Sequence, residues 1–374
     1  RTSPAQRPAA VRVQDRARVR RRHRAHVSTS MGVGGLLIWL KEAFPEAFTQ
    51  PETRRSHLLI DANSQVHDAI RNSRGARETE VIRRFVGSVD QLVQQYQPSR
   101  GLSVALDGPA PLAKLETQRQ RRLKKKASGA RTAGVSGNAV TPGTSFMGLI
   151  DEALMQWADT RTSNGLPCSV LIDPTVRAGE GEVKIFEHLL SHWRPRQGES
   201  ASVTVIGSDS DLLLLSLMQH PSLAIQVVVE DKGRASVAFC LDRFRRRLGA
   251  ASTRDGAPCG SDDEAAATAV LDSFVLLCLF CGDDYLRALP GYSLRLAFAA
   301  WELQGRPTLV RRDPIRLELP SIGTVLEAVS KAAAQALAQP PAKAPGQAAP
   351  KPASQAPAQP AADKAVAEAG AEAG

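Results

Sequence analysis

Short apolar runs alternate with longer stretches of helical period through the middle of the chain. The runs HLLID (57–61), LSVALD (102–107), SVLID (169–173) and VTVIG (203–207) have the length of strands. Patterns such as VKIFEHLLSHW and LLLLSL have the period of helices. This alternation predicts an α/β fold with a mostly parallel central sheet flanked by helices. Ahead of it, GVGGLLIWLKEAF after Met31 predicts an amphipathic helix. The stretch LGAASTRDGAPCGSDDEAAA (248–267) interrupts the order and predicts a flexible insertion.

Composition changes sharply at both ends. Residues 1–30 hold nine arginines against the single Asp15, and from about 333 to 374 the chain reduces to Ala, Pro, Gln, Lys and Gly. Such segments bury too little apolar surface to fold. The expected organisation is an Arg-rich arm (1–30), one folded domain (31–332, with 248–267 inserted) and an Ala/Pro-rich tail (333–374). Met31 is a candidate start. The run RRRHR allows a nucleic-acid arm, a nuclear-targeting signal or a poor transit peptide, so nucleus or cytoplasm is expected and a mitochondrion is allowed.

Across 374 residues the formal charge is +10, but the arm contributes most of it and the body is nearly neutral. What stands out in the body is a cluster, KLETQRQRRLKKKASGAR (114–131), with eight Lys/Arg against Glu116. The longest apolar run, FVLLCLFC (274–281), is far shorter than the roughly 20 residues of a membrane span, so no membrane partner is expected. Five cysteines without framework spacing favour a reducing compartment. Cys278 and Cys281 form a CxxC that lacks the second pair a structural zinc site needs.

The acidic residues carry the chemistry. In open parallel sheets, ligands gather at the carboxyl ends of the strands. Asp61 ends HLLID, Asp107 ends LSVALD, Asp209 and Asp211 follow VTVIG, Glu180 and Glu182 lie in the loop after SVLID, and Asp283 and Asp284 follow FVLLCLFC. Each has an ordinary structural reading: Asp209 as a helix cap, Asp61 as a turn residue, the GEGE glutamates as acids on a helix dipole. Together they would converge on one sheet edge, where so many carboxylates repel unless cations are present. All-oxygen ligation suits Mg2+, with Mn2+ as substitute. Two such ions about 4 Å apart can activate water and stabilise the leaving oxygen of a phosphodiester. Just past Asp107, Lys114, Gln118, Arg121 and Arg122 share one helical face at i, i+4, i+7 and i+8, which suits either a phosphate substrate or a solvated helix.

The motifs MGVGGLLIWLKEAFP, LLIDANSQVH, ALDGPAPLAKLETQRQRR, NAVTPGTSFM, GEGEVKI, GSDSDLLLL and GDDYLRALP occur in the order found in Xrn-type 5′→3′ exoribonucleases. Between Met31 and Pro290 the chain resembles that family, within the wider flap-nuclease-like (PIN-like) folds. The resemblance implies metal ligation by Asp61, Asp107, Glu180, Glu182, Asp209, Asp211 and Asp284. It also implies a pocket for the 5′-monophosphate of single-stranded RNA at Lys114, Gln118, Arg121 and Arg122, and stacking of His67 on a terminal base. The implied activity is hydrolysis of 5′-phosphorylated RNA to mononucleotides with two Mg2+ ions.

Three positions depart from the family's usual residues: Val183 for histidine, Ser145 for glutamate and Asp283 for asparagine. The family's second conserved region, which supplies an aromatic partner for the stacking histidine, is not expected in the roughly 90 residues after GDDYL, so a partner protein supplying it is an expectation. The rival readings are a structure-specific DNA flap nuclease, and a non-catalytic RNA-binding or assembly factor derived from such an enzyme.

Overall fold

The protein is described by a computed structural model over residues 33–338, apart from 74, 116–117, 120–122, 124–133, 194–200, 208, 221, 230–235, 250–252, 255–256, 259–260 and 313. The Arg-rich arm, the tail past Ala338, and Arg121 and Arg122 therefore lie outside the described residues.

Seven strands form the central sheet: β1 (Phe48–Thr49), β2 (His57–Asp61), β3 (Gly101–Ala105), β4 (Ser169–Asp173), β5 (Ala201–Ile206), β6 (Leu223–Val229) and β7 (Val237–Cys240). Their order is β1-β7-β6-β5-β2-β3-β4. Strands β2 to β6 run parallel to their neighbours, while β7 pairs antiparallel with β6 and β1 antiparallel with β7. The α/β class expected from the alternation is observed. HLLID and SVLID are strands over their whole expected length, and the other two are shifted by one or two residues.

Helices cover both faces because the strands are apolar on both. Leu58 and Ile60 point to one core, which holds Val66 and Ala69 of α2 (Ala62–Asn72), Val81, Phe85 and Val89 of α3 (Glu78–Tyr96), and Ile150 and Leu154 of α4 (Ser145–Ser163). Leu59, between them in sequence, points to the other. That second core is larger. It takes residues from α1 (Leu36–Ala43), α5 (Gly181–His192), α6 (Ser210–Leu217), α7 (Leu241–Arg247), α8 (Ser261–Leu279), α9 (Leu294–Leu303) and α10 (Leu319–Ala338). Rings from four of these helices and the turn after α1 interlock there, with Phe44 4.9 Å from Phe244 and Trp39 5.3 Å from Phe298.

Two boundaries differ from the expectation. Residues 261–267, assigned to the insertion, are the first turns of α8, because the acidic run SDDE followed by three alanines favours a helix start. Likewise α10 continues to Ala338, past the expected boundary at 332, on the helix-forming run KAAAQALA. Two short antiparallel pairs, β8 (Thr253–Arg254) with β9 (Ala257–Pro258) and β10 (Val310–Arg311) with β11 (Arg316–Leu317), lie outside the central sheet. No helix among the described residues is long and apolar enough to cross a membrane.

The topology marks a switch point. From β2 the chain adds β3 and then β4 on one side, and returns to add β5 and β6 on the other. Connections therefore diverge at the carboxyl ends of β2 and β5, the kind of switch point where α/β sheets open a crevice.

Candidate metal centre

The residues at this switch point are the acidic ones. Asp61 is the last residue of β2 and the cap of α2, accepting from Asn63 N–H at 3.3 Å. Asp209 caps α6 and accepts from Asp211 N–H at 3.4 Å. Glu180 occupies the cap position of α5 without capping it, and Glu182 lies in that helix's first turn. The simple helix-terminus reading of these acids is thus correct as local structure. It does not explain why Glu180, Glu182 and Asp284 are all buried.

Two glycines and an asparagine draw the segments together. Gly181 donates its N–H to Asp107 Oδ1 at 2.7 Å. A Cβ at that position would lie 2.8 Å from Asp61 Oδ1 and 3.2 Å from the Ala105 carbonyl, so only glycine admits this approach. Gly179 has φ +110, which turns the chain between Ala178 and Glu180. Asn63 links two carboxylate-bearing segments, since its N–H serves Asp61 and its Oδ1 accepts from Asp107 N–H at 3.3 Å.

Carboxylate oxygens of Glu182, Asp209 and Asp211 lie within 4.8 Å of one another, the one such cluster among the described residues. Asp209 Oδ2 and Asp211 Oδ1 are buried and accept no hydrogen bond. Buried oxygens of this kind carry a desolvation cost that a cation would relieve. An all-oxygen, acid-rich donor set fits a hard divalent cation such as Mg2+ or Mn2+.

The electrostatics agree. Burial, then the charges of Asp107, Asp209 and Glu180, push the Asp61 carboxyl up to about 8 despite its bond from Asn63. Burial and the neighbouring acids Asp209, Asp283 and Asp284 raise Asp211 to about 7. Glu182 is raised well above the usual carboxylate range by burial and then by Asp209 and Asp211. Asp107 and Asp209 are raised too, chiefly by burial.

Lys114 sits inside this cluster. Its ammonium pairs with Glu180 and lies 3.0 Å from Asp284 Oδ2. Burial alone would lower its pKa, but the hydrogen bonds and charges of those two carboxylates outweigh it and hold Lys114 above the ordinary lysine range. Gln118 is half-buried; Arg121 and Arg122 lie outside the described residues. His67 is half-buried on α2, two turns from Asp61.

Some participants were not visible in the sequence. Tyr285 presents its ring 5.6 Å from the Lys114 ammonium, and its phenol is raised by burial and then by a hydrogen bond to Glu180. Asp283, one of the departures, organises the loop: its Oδ1 accepts from the N–H groups of Tyr285 at 2.7 Å and Leu286 at 2.6 Å. Val183 is partly exposed on α5, and Ser145 opens α4 behind the Thr144 cap. Only an asparagine two residues past a strand-end aspartate, or an aromatic one past the acidic pair, hinted at Asn63 and Tyr285.

Known proteins resemble this chain. The 5′-3′ exoribonuclease 1 of Schizosaccharomyces pombe is 25% identical over 313 residues, covering 70% of this chain and 22% of that protein. The 5′-3′ exoribonuclease 2 of Saccharomyces cerevisiae is 24% identical over 391 residues, covering 79% of this chain and 38% of that protein. The chain thus spans well under half the length of these curated relatives. Among solved structures, the catalytic core of Rad2 in complex with DNA substrate aligns with TM-score 0.42 and 14% identity, covering 73% of this chain and 70% of that one. Human GEN1 in complex with Holliday junction DNA aligns with TM-score 0.42 and 13% identity, covering 82% and 63%. Residues 31–231, more than half of the chain, match the family described as XRN 5′-3′ exonuclease N-terminus, and the chain belongs to that family.

Proposed function

We propose that this protein is a 5′→3′ exoribonuclease that hydrolyses 5′-monophosphorylated single-stranded RNA to mononucleotides with two divalent cations, Mg2+ by preference. The observation that carries the reading is the pair of buried, unbonded oxygens on Asp209 and Asp211 beside Glu182, at the carboxyl edge of a parallel sheet. Family membership supports the same class of reaction.

Glu182, Asp209 and Asp211 would hold one cation, with Asp61, Asp107, Glu180 and Asp284 completing the ligand set. Bound there, the cations would supply activation of a water and stabilisation of the leaving oxygen of a phosphodiester. The chain's own residues do the rest. Gly181 N–H and Asn63 fix Asp107 and Asp61 in place, which keeps the carboxylates from drifting apart under their mutual repulsion. Lys114, with Gln118, Arg121 and Arg122, recognises the terminal phosphate by charge-assisted hydrogen bonds. That role is supported by the position of Lys114 against Glu180 and Asp284, where a cationic group stands directly beside the acidic site. Stacking of a terminal base on His67 is consistent with single-stranded RNA, whose unpaired bases offer a free face.

The reading is tested with end-labelled RNA and DNA of one sequence, each carrying a 5′-phosphate or a 5′-hydroxyl, incubated with purified protein and Mg2+. Release of mononucleotides from the 5′-phosphorylated RNA, slower by about a hundredfold for the 5′-hydroxyl form, is expected, the equivalent of two charge-assisted contacts at roughly 1.5 kcal/mol each. Cleavage confined to branched DNA, or binding of RNA with no turnover, contradicts it.

A further inference from the structure

Lys184 is a buried cation to which the proposed reaction assigns no part. One turn into α5, its side chain is 1% exposed. Its ammonium donates to the Leu106 carbonyl at 2.9 Å and to the Pro174 carbonyl at 3.0 Å, and lies 3.2 Å from Asp173 Oδ1. Each partner is the end of something. Leu106 directly precedes Asp107, Asp173 ends β4 with Pro174 just past it, and Lys184 itself lies two residues beyond Glu182. A single ammonium thereby ties together three segments, two of which carry carboxylates of the metal centre.

Packing does not account for a lysine here. Desolvating an ammonium costs several kcal/mol before pairing repays it, and an apolar side chain of like volume would fill the space without that cost. The pairing is itself braced. Asp173 also binds Arg177, and lies 3.1 Å from His188 Nε2, while His188 Nδ1 is 2.7 Å from Ser103 Oγ. This Ser–His–Asp series is no nucleophile, because Ser103 is wholly buried within β3. It anchors Asp173, and through it Lys184, to the underside of the sheet edge. Above it, the loops after β3 and β4 are zipped by Gly108 N–H to the Gly179 carbonyl at 2.8 Å and Gly179 N–H to the Pro109 carbonyl at 3.1 Å.

We infer that Lys184 is a positioning residue for the metal centre, setting Asp107 in register with Glu180 and Glu182 by holding the carbonyl next to Asp107 from the helix that carries the glutamates. The inference rests on the reading of those carboxylates as cation ligands. It does not require Lys184 to touch substrate or cation.

The test is calorimetric titration of Mn2+ into the full chain, paired with thermal unfolding, for wild type, Lys184→Met and the double variant Lys184→Met/Asp173→Asn. The double variant removes both charges, so neither is left buried without the other. It should melt within a few degrees of wild type yet bind Mn2+ at least tenfold more weakly, a separation that a purely structural role would not produce. A folded variant, single or double, that binds Mn2+ as wild type does overturns the inference. So does a double variant that fails to fold, since Lys184 would then serve the fold itself. Wild-type protein that takes up no Mn2+ overturns the metal-site reading instead, and does so before any variant is compared.

Discussion

The Lys114 ammonium lies 3.0 Å from Asp284 Oδ2, and both residues are more than nine-tenths buried. Glu180 binds the same ammonium. A divalent cation that recruits these two carboxylates competes with Lys114 for them. Lys114→Met should therefore bind Mn2+ several-fold more tightly than wild type, because the site becomes more acidic. In EDTA the same variant should be less stable, by about 3–5 kcal/mol, having lost the buried counter-ion of Glu180 and Asp284. Titration and melting check both signs; weaker Mn2+ binding by Lys114→Met contradicts the competition.

The raised carboxyls make stability depend on pH in a definite direction. Asp61 goes from an ordinary value of 3.8 to about 8 on folding, and Asp211 from 3.8 to about 7. Between those values the folded state holds more protons than the unfolded chain, so stability falls as pH rises. It is fully present below about 4 and lost by about 8. In EDTA, the melting temperature should decline across that window, and Asp61→Asn should flatten the decline. Saturating Mg2+ should flatten it as well, since cation and proton compete for the same oxygens. A melting temperature that rises from pH 5 to 8 in EDTA would contradict the assignment.

Gly181 offers a steric test. Alanine is the better helix former, yet its Cβ would sit 2.8 Å from Asp61 Oδ1 and 3.2 Å from the Ala105 carbonyl. Gly181→Ala should cost about 1–3 kcal/mol by overpacking and lower the RNA cleavage rate by at least about a hundredfold through displacement of Asp61. Gly87→Ala, at a helix-interior position where a Cβ meets open space, is the matched control: it should raise stability by roughly 1 kcal/mol and leave cleavage unchanged. Chemical denaturation and single-turnover kinetics separate the two effects.

Part of this arrangement was legible in the sequence. HLLID is a parallel strand beside the switch point, which puts its last residue, Asp61, with the acidic cluster, whereas SVLID ends in Asp173 on the edge strand, where it pairs with Lys184 and Arg177 instead. The glutamates of GEGEVKI were legible as helix-terminal acids and as candidate ligands, but their burial was not. Lys184 was not. In the pattern VKIFEHLLSHW a lysine looks like the polar face of an amphipathic helix, and only tertiary structure reveals that this face turns toward Asp173 and the Leu106 carbonyl. Lys114 was read as part of a basic helical face, and its burial between Glu180 and Asp284 depends on a loop 170 residues away in sequence. Spacing within one helix carries no information about that.

The most direct measurement is cleavage of a 5′-phosphorylated RNA by the Asp209→Asn/Asp211→Asn protein, beside wild type in Mg2+ and in excess EDTA, with circular dichroism on each sample. These substitutions keep side-chain volume and remove the charge from the two carboxylates with buried, unbonded oxygens. Loss of cleavage in the folded double variant, matched by loss in EDTA for wild type, is the predicted result. Undiminished cleavage in either case would contradict a metal-dependent nuclease centred on Glu182, Asp209 and Asp211.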